Sequence, residues 1–128
     1  NKKIYMYKLQ KNVRIIKFVE NPYKYMSKCD LLVQTSLWEG SSNILIEALM
    51  CNTRVVCYDI PGGTKEILAN RKNGFLAKVN DYENLSKKIL QSLQQKKDIK
   101  NKNLLLFDMK SNITKYKNLF NKSSNKKI

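Results

Sequence analysis

Two short apolar runs confine this chain to a narrow set of folds. Leu31-Leu32-Val33 and Arg54 to Tyr58, the latter centred on Val55, Val56 and Cys57, show no alternation with polar residues. Runs this short and uniformly apolar suit strands covered on both faces. Between them, Asn43 to Met50 has helical spacing, with Ile44, Ala48 and Cys51 in one stripe and Leu45 and Leu49 beside it. Strand, helix, strand in that order gives parallel neighbours joined by a crossover, and such crossovers are almost always right-handed.

The flanking segments continue the alternation. Val13 to Val19 is a strand candidate by its β-branched content, and Gly74 to Ala77 is a short fourth. Helices are expected from Pro22 to about Lys28 behind Asn21, from Lys65 behind Thr64, from Asn80 or Asp81 to Leu93, and from Leu104 to Phe120. Residues 1–11 suit the close of a helix, and 121–128 a frayed end. The expected fold class is α/β: a Rossmann-like, three-layer domain on a parallel sheet of about four or more strands.

Ligands of such sheets bind outside the carboxyl ends of the strands. Three loops fall there: Glu20-Asn21, Ser36 to Ser42, and Asp59 to Gly63. The second is the richest. Glu39 and Glu47 lie eight positions apart, one before the helix and one inside it. Gly40, Ser41, Ser42 and Asn43 form the polar turn between them, and helix N-termini attract anions. Glu39 either caps and solvates its loop or accepts hydrogen bonds from sugar hydroxyls. Glu47 is either a solvated face residue or a half-buried carboxylate needing paired donors, such as two adjacent ribose hydroxyls. Gly62-Gly63 reads as a tight turn or as a phosphate loop, and Trp38 as a loop anchor or a stacking surface. A carboxylate at each end of an anion-binding turn suits a nucleotide-diphosphate sugar.

Composition removes several chemistries. The chain has 128 residues, room for one core. It contains no histidine, and its three cysteines, Cys29, Cys51 and Cys57, form no CxxC pair. The usual zinc sites and any His base from this chain are excluded. Cysteines in apolar segments suit buried thiols in a reducing cytosol. No apolar run reaches the roughly 18 residues of a membrane span. Twenty-five Lys and Arg against ten Asp and Glu give a net charge of +15. That excess admits three readings: compositional drift on a solvated face, attraction to an anionic membrane, or nucleic-acid binding. The preference for Lys over Arg disfavours base reading.

Cys29 to Lys78, with TSLWEGSSN, PGGTKEIL and NGFLA, resembles the donor-binding half of the family-four retaining glycosyltransferases. Those enzymes have two facing Rossmann-like domains, the GT-B fold. The mark of the resemblance is two glutamates separated by seven residues, here Glu39 and Glu47. It extends more weakly over Val13 to Leu93. It implies that Glu39 contacts the transferred hexose and Glu47 the ribose. It gives sugar and phosphate to the backbone of Gly40, Ser41 and Ser42, with Asn43 at the helix start. Phe18 or Val19 would touch the nucleobase. No metal or other cofactor is implied, because an Arg and a Lys upstream of this region serve the diphosphate. Three positions depart from the pattern: Ser41 for an aromatic, Asn52 for Gly and Arg54 for Pro.

On this resemblance, residues 1–128 are a partial C-terminal nucleotide-sugar-binding domain, with the N-terminal acceptor domain absent. The isolated chain is expected to be inactive. The whole protein would transfer a UDP-hexose or UDP-N-acetylhexosamine unit to a lipid-linked or polysaccharide acceptor, in the cytoplasm at the inner face of the plasma membrane. The competing readings are a basic α/β nucleic-acid-binding module and a nonenzymatic remnant of a transferase.

Overall fold

The structure is a computed structural model that describes residues 2–68, 73–95 and 107–124, with side chains described to residue 121. Its elements are α1 (Lys2–Met6), α2 (Tyr23–Met26), β1 (Leu31–Gln34), α3 (Asn43–Met50), β2 (Arg54–Tyr58), α4 (Thr64–Ile67), β3 (Phe75–Ala77), α5 (Tyr82–Gln94) and α6 (Met109–Ser124). The fold is α/β, with a parallel sheet in the order β1-β2-β3.

The central strand shows how the layers form. Val55 to Tyr58 are all buried, so β2 is covered on both faces. Val55 and Cys57 join Leu45, Ala48 and Leu49 of α3, Ile67 and Leu68 around α4, and Leu76 of β3. Tyr58 and Ala77 point the other way, into a smaller cluster with Ile60, Val79 and Leu85 of α5. Register agrees with this division: Cys57 lies beside Leu76, and Tyr58 beside Ala77. The buried stripe of α3 is Leu45, Ala48 and Leu49, while Ile44 is turned outward.

Caps explain several boundaries. Asn52 adopts φ 57° and closes α3. Asn52 N–H donates to Leu49 O at 2.9 Å and Thr53 N–H to Ala48 O at 2.8 Å. That pair of bonds is a Schellman closure, and Asn is one of the residues able to take glycine's place in it. Asp81 caps α5, its Oδ1 accepting from Asn84 N–H at 2.9 Å. The Thr53 hydroxyl donates to Met26 O and fastens α2 to the start of β2. Arg54 reaches across the domain to α5, where its Nη1 donates to the carbonyls of Ser92 (2.7 Å), Leu93 (3.2 Å) and Gln95 (3.1 Å).

Several expectations change. α2 runs only from Tyr23 to Met26, with Pro22 rather than Asn21 as its N-cap residue. Val13 to Val19 forms no strand: Val13, Ile15 and Ile16 are exposed, and Phe18 is 90% exposed. β-branched content makes a strand only where a ladder partner exists, and among the described residues β1 pairs only with β2. The described sheet therefore has three strands rather than four. Thr64 does not cap α4. Gly63 is the cap residue, with φ 88°, and the Thr64 hydroxyl donates to Ile60 O at 3.0 Å. α6 begins at Met109 rather than Leu104, with Asp108 Oδ2 accepting from Ser111 N–H at 2.8 Å. The expected helical residues 104–106, and 125–128 of the expected frayed end, lie outside the described residues. Finally, only Cys57 is a buried thiol. Cys29 and Cys51 are half-buried, and all three are free.

Candidate functional site

The loop after β1 is held by a residue that the sequence reading passed over. Gln34 ends β1 as a polar residue after three apolar ones. Its Nε2 donates to Glu39 Oε1 at 3.0 Å, and its Oε1 accepts from Ser42 Oγ–H at 2.8 Å. A longer contact, 3.4 Å, runs from Nε2 to Ser36 Oγ. One amide thus ties the start, the middle and the end of the loop. The signal available in sequence was a lone amide at the carboxyl end of an apolar strand, where ligand loops begin.

Ser42 is the N-cap residue of α3, yet its side chain makes no capping bond, because its hydroxyl serves Gln34. The first turn of α3 carries no acidic residue. An uncapped helix start with no acid in its first turn favours an anion, although the Glu39 carboxylate stands close by on the same Gln34 amide. Gly40, Ser41 and Asn43 are exposed beside it, and a Cβ on Gly40 would meet nothing within 4 Å.

Glu47 lies one turn into α3 and is half-buried. Tyr23 of α2 directs its hydroxyl at Glu47 Oε1 over 3.5 Å, a long contact at the edge of hydrogen bonding. Tyr23 was also missed, since nothing local in NPYKYM marks it. Trp38 is 78% exposed, so it anchors nothing and leaves a free indole next to Glu39.

The third loop closes underneath. Gly62 has φ 112°, and a Cβ there would stand 2.0 Å from Glu39 O and 3.4 Å from Gly40 O. Gly62 is therefore in backbone contact with the Glu39 loop, whereas Gly63 faces open space. Asp59 to Gly63, with Lys65 and Glu66, line a cavity of about 490 Å³. Lys65 pairs with Asp59 at 3.2 Å. Phe18 and Val19 stand apart from this arrangement. The Phe18 ring is in solvent, and Val19 lines an apolar groove of about 330 Å³ with Leu31 and Leu32. Neither Glu39 nor Glu47 lines that groove. Among the described residues, no three His, Cys, Asp or Glu side chains group as metal ligands.

Cys57 takes no part in such chemistry. Burial, with a smaller contribution from the Asp59 charge, pushes its thiol from the ordinary 9.0 to about 12. Iodoacetamide at neutral pH should label Cys29 and Cys51 and spare Cys57 until the protein is denatured. The raised value also sets a pH dependence. Above pH 9 the unfolded thiol loses its proton while the folded one keeps it, so the unfolded state gains. Stability should fall as pH rises from about 9 towards 12, and lie intact below. Urea melts of the parent minus those of Cys57→Ala, over that range, isolate this share from the lysines and tyrosines.

A parallel sheet whose central strand is covered on both faces, with polar loops and an open helix start at its carboxyl edge, makes this a Rossmann-like α/β domain. Residues 1–118 match the family described as glycosyl transferases group 1, and the chain belongs to that family. It is 37% identical over 97 residues to the N-acetylgalactosamine-N,N'-diacetylbacillosaminyl-diphospho-undecaprenol 4-alpha-N-acetylgalactosaminyltransferase of Campylobacter jejuni, covering 73% of this chain and 27% of that protein. It is 32% identical over 83 residues to the poly(ribitol-phosphate) alpha-N-acetylglucosaminyltransferase of Staphylococcus aureus, covering 65% of this chain and 17% of that one. Against the poly(glycerol-phosphate) alpha-glucosyltransferase of Bacillus subtilis it is 30% identical over 87 residues, 68% of this chain and 13% of that one. The chain thus spans 27% or less of the length of these curated relatives. No described helix is long and apolar enough to cross a membrane.

Proposed function

We propose that this chain is the nucleotide-sugar-binding part of a retaining glycosyltransferase of the GT-B type, a C-terminal domain that works against a facing acceptor domain. The observation that carries the reading is the Gln34–Glu39–Ser42 tie beside the uncapped start of α3, with Glu47 one turn further on. Glu39 meets the hydroxyls of the transferred hexose or N-acetylhexosamine. Gly40, Ser41 and Ser42 offer backbone N–H groups to the diphosphate, and Asn43 stands at the helix start with its own N–H donating to Ser41 O at 3.1 Å. Glu47 takes the ribose hydroxyls. The nucleobase lies towards Phe18 and Val19, and Gly62 supports the sugar loop from below. The donor is a UDP-sugar, and the domain uses no metal.

In the whole protein the anomeric C–O bond to the diphosphate breaks as the acceptor hydroxyl attacks from the same face. The hydroxyl proton passes to a donor phosphate oxygen, and helix-terminal N–H groups stabilise the departing charge. The acceptor is lipid-linked or polymeric. The named relatives support a phosphate-bearing one: a diphospho-undecaprenol, a poly(ribitol-phosphate) and a poly(glycerol-phosphate). The protein works peripherally at the cytoplasmic face of the membrane that carries such acceptors.

Calorimetric titration tests the donor site. UDP and a UDP-sugar should bind in the high-micromolar to millimolar range, about −4 to −5.5 kcal/mol. Glu47→Ala should weaken both ligands by about tenfold, since both carry ribose. Glu39→Ala should weaken the sugar nucleotide by about tenfold and UDP little. Equal losses on both ligands for Glu39→Ala would contradict its sugar contact.

A further inference from the structure

Glu39 stands in a loop, where no ladder or helix fixes the direction of its carboxylate. Gln34 stands on the sheet. It is the last residue of β1, in register with the buried Cys57 of β2, so its backbone is held by the ladder. Its Nε2 meets Glu39 Oε1 at 3.0 Å. Both side chains are half-buried, where a hydrogen bond to a carboxylate is less weakened by water than at an open surface.

Chemistry sets which way round the amide lies. An ionised carboxylate accepts and never donates, so the nitrogen must face Glu39. The amide oxygen then faces Ser42, whose hydroxyl donates to it at 2.8 Å. Turning the amide over would set a carbonyl oxygen against the carboxylate. Ser42 is 1% exposed and stands at the start of α3, so that end of the tie is fixed as well. Gln34 is thus clamped by Ser42 on one side and holds a single oxygen of Glu39 on the other.

We propose that Gln34 is a positioning residue for the sugar contact: its amide engages Glu39 Oε1 and turns Oε2 towards the hydroxyls of the donor hexose. This rests on the sugar-contact reading of Glu39 above and adds the residue that gives the contact its direction. A carboxylate ordered before the ligand arrives loses less side-chain entropy on binding. UDP lacks the hexose, so a defect that acts through Glu39 shows only when the sugar is attached. A plain loop brace would weaken both ligands alike, because it would disturb the helix start that the shared diphosphate uses.

The quantity to read is the ratio of sugar-nucleotide affinity to UDP affinity. NMR titration of the 128-residue chain supplies it, since that method reaches millimolar constants. The probes are UDP, UDP-glucose and UDP-N-acetylglucosamine, and the tighter of the two sugar nucleotides serves for the variants. Gln34→Met keeps the length of the side chain and removes both bonds. Gln34→Glu keeps an acceptor for Ser42 but sets a like charge against Glu39. Each should lower the ratio by about fivefold or more. The ratio cancels any effect of the added charge on the diphosphate, which both ligands share. In a Glu39→Ala background neither variant should lower it further, because the amide then has nothing to position. A parent-like ratio in either Gln34 variant, or a further loss in the Glu39→Ala background, would overturn the positioning role and leave the sugar contact of Glu39 standing. A parent-like ratio in Glu39→Ala itself, or a parent that binds neither sugar nucleotide, would overturn both.

Discussion

Replacing Gly62 with alanine is expected to cost about 3 kcal/mol or more and to lower the melting temperature by about 10 °C. Two separate causes act on the same atom. The backbone at Gly62 has φ 112°, a region that L side chains rarely adopt, and the new Cβ would lie 2.0 Å from the Glu39 carbonyl oxygen. The Glu39 loop cannot yield freely, because Gln34 holds Glu39 and Ser42 together. The variant should therefore also lose UDP-sugar binding at temperatures where it remains folded. The neighbouring glycines provide the comparison. Gly63→Ala has open space around its Cβ but φ 88°, so strain alone remains, about 1 kcal/mol. Gly40→Ala meets nothing and has no positive φ, so its stability should change by less than about 0.5 kcal/mol. A loss of donor affinity in Gly40→Ala without a loss of stability would mean that the ligand, not the fold, requires glycine there. Thermal melts and calorimetry on the three variants decide the order. A Gly62→Ala melt equal to that of Gly40→Ala would refute the contact.

The second large effect is at Arg54. Its Nη1 donates to three carbonyls at the end of α5, and a cation there also meets the negative end of the helix dipole. Arg54→Met keeps the apolar stem and removes these bonds, so about 2–3 kcal/mol should be lost. Arg54→Lys should recover only part, because a single ammonium cannot reproduce the span of the guanidinium. Amide exchange gives a local readout: the N–H groups of the last turn of α5 should lose protection before those of β2 do. Uniform loss across the domain would show that Arg54 acts through packing rather than as a clamp on α5. The departure from the family's usual proline at this position has its explanation here. Proline would offer no side chain to close the helix.

Sequence determined what depends on near neighbours. The apolar runs located β1, β2 and β3, but only β2 is buried on both faces and so apolar at each step, while Val33 of β1, expected to be covered, is exposed. Asn43 to Met50 was legible as a helix and the cap of α5 as Asn80 or Asp81, since each depends on groups within one turn, and the structure chose Asp81. The spacing of Glu39 and Glu47 marked the candidate site. Tertiary structure decided what depends on distant partners. Val13 to Val19 has strand-like content yet no ladder, because pairing is a property of two segments and, among the described residues, β1 pairs only with β2. Gln34 gained its role from the fold of a loop, Gly62 from a second loop arriving beneath Glu39, and Arg54 from carbonyls 38 to 41 positions away. The apolar residues of α3 could be read from their spacing, but that Leu45 and Leu49 rather than Ile44 would meet the core could not. Periodicity says which residues share a face, and only packing says what that face meets.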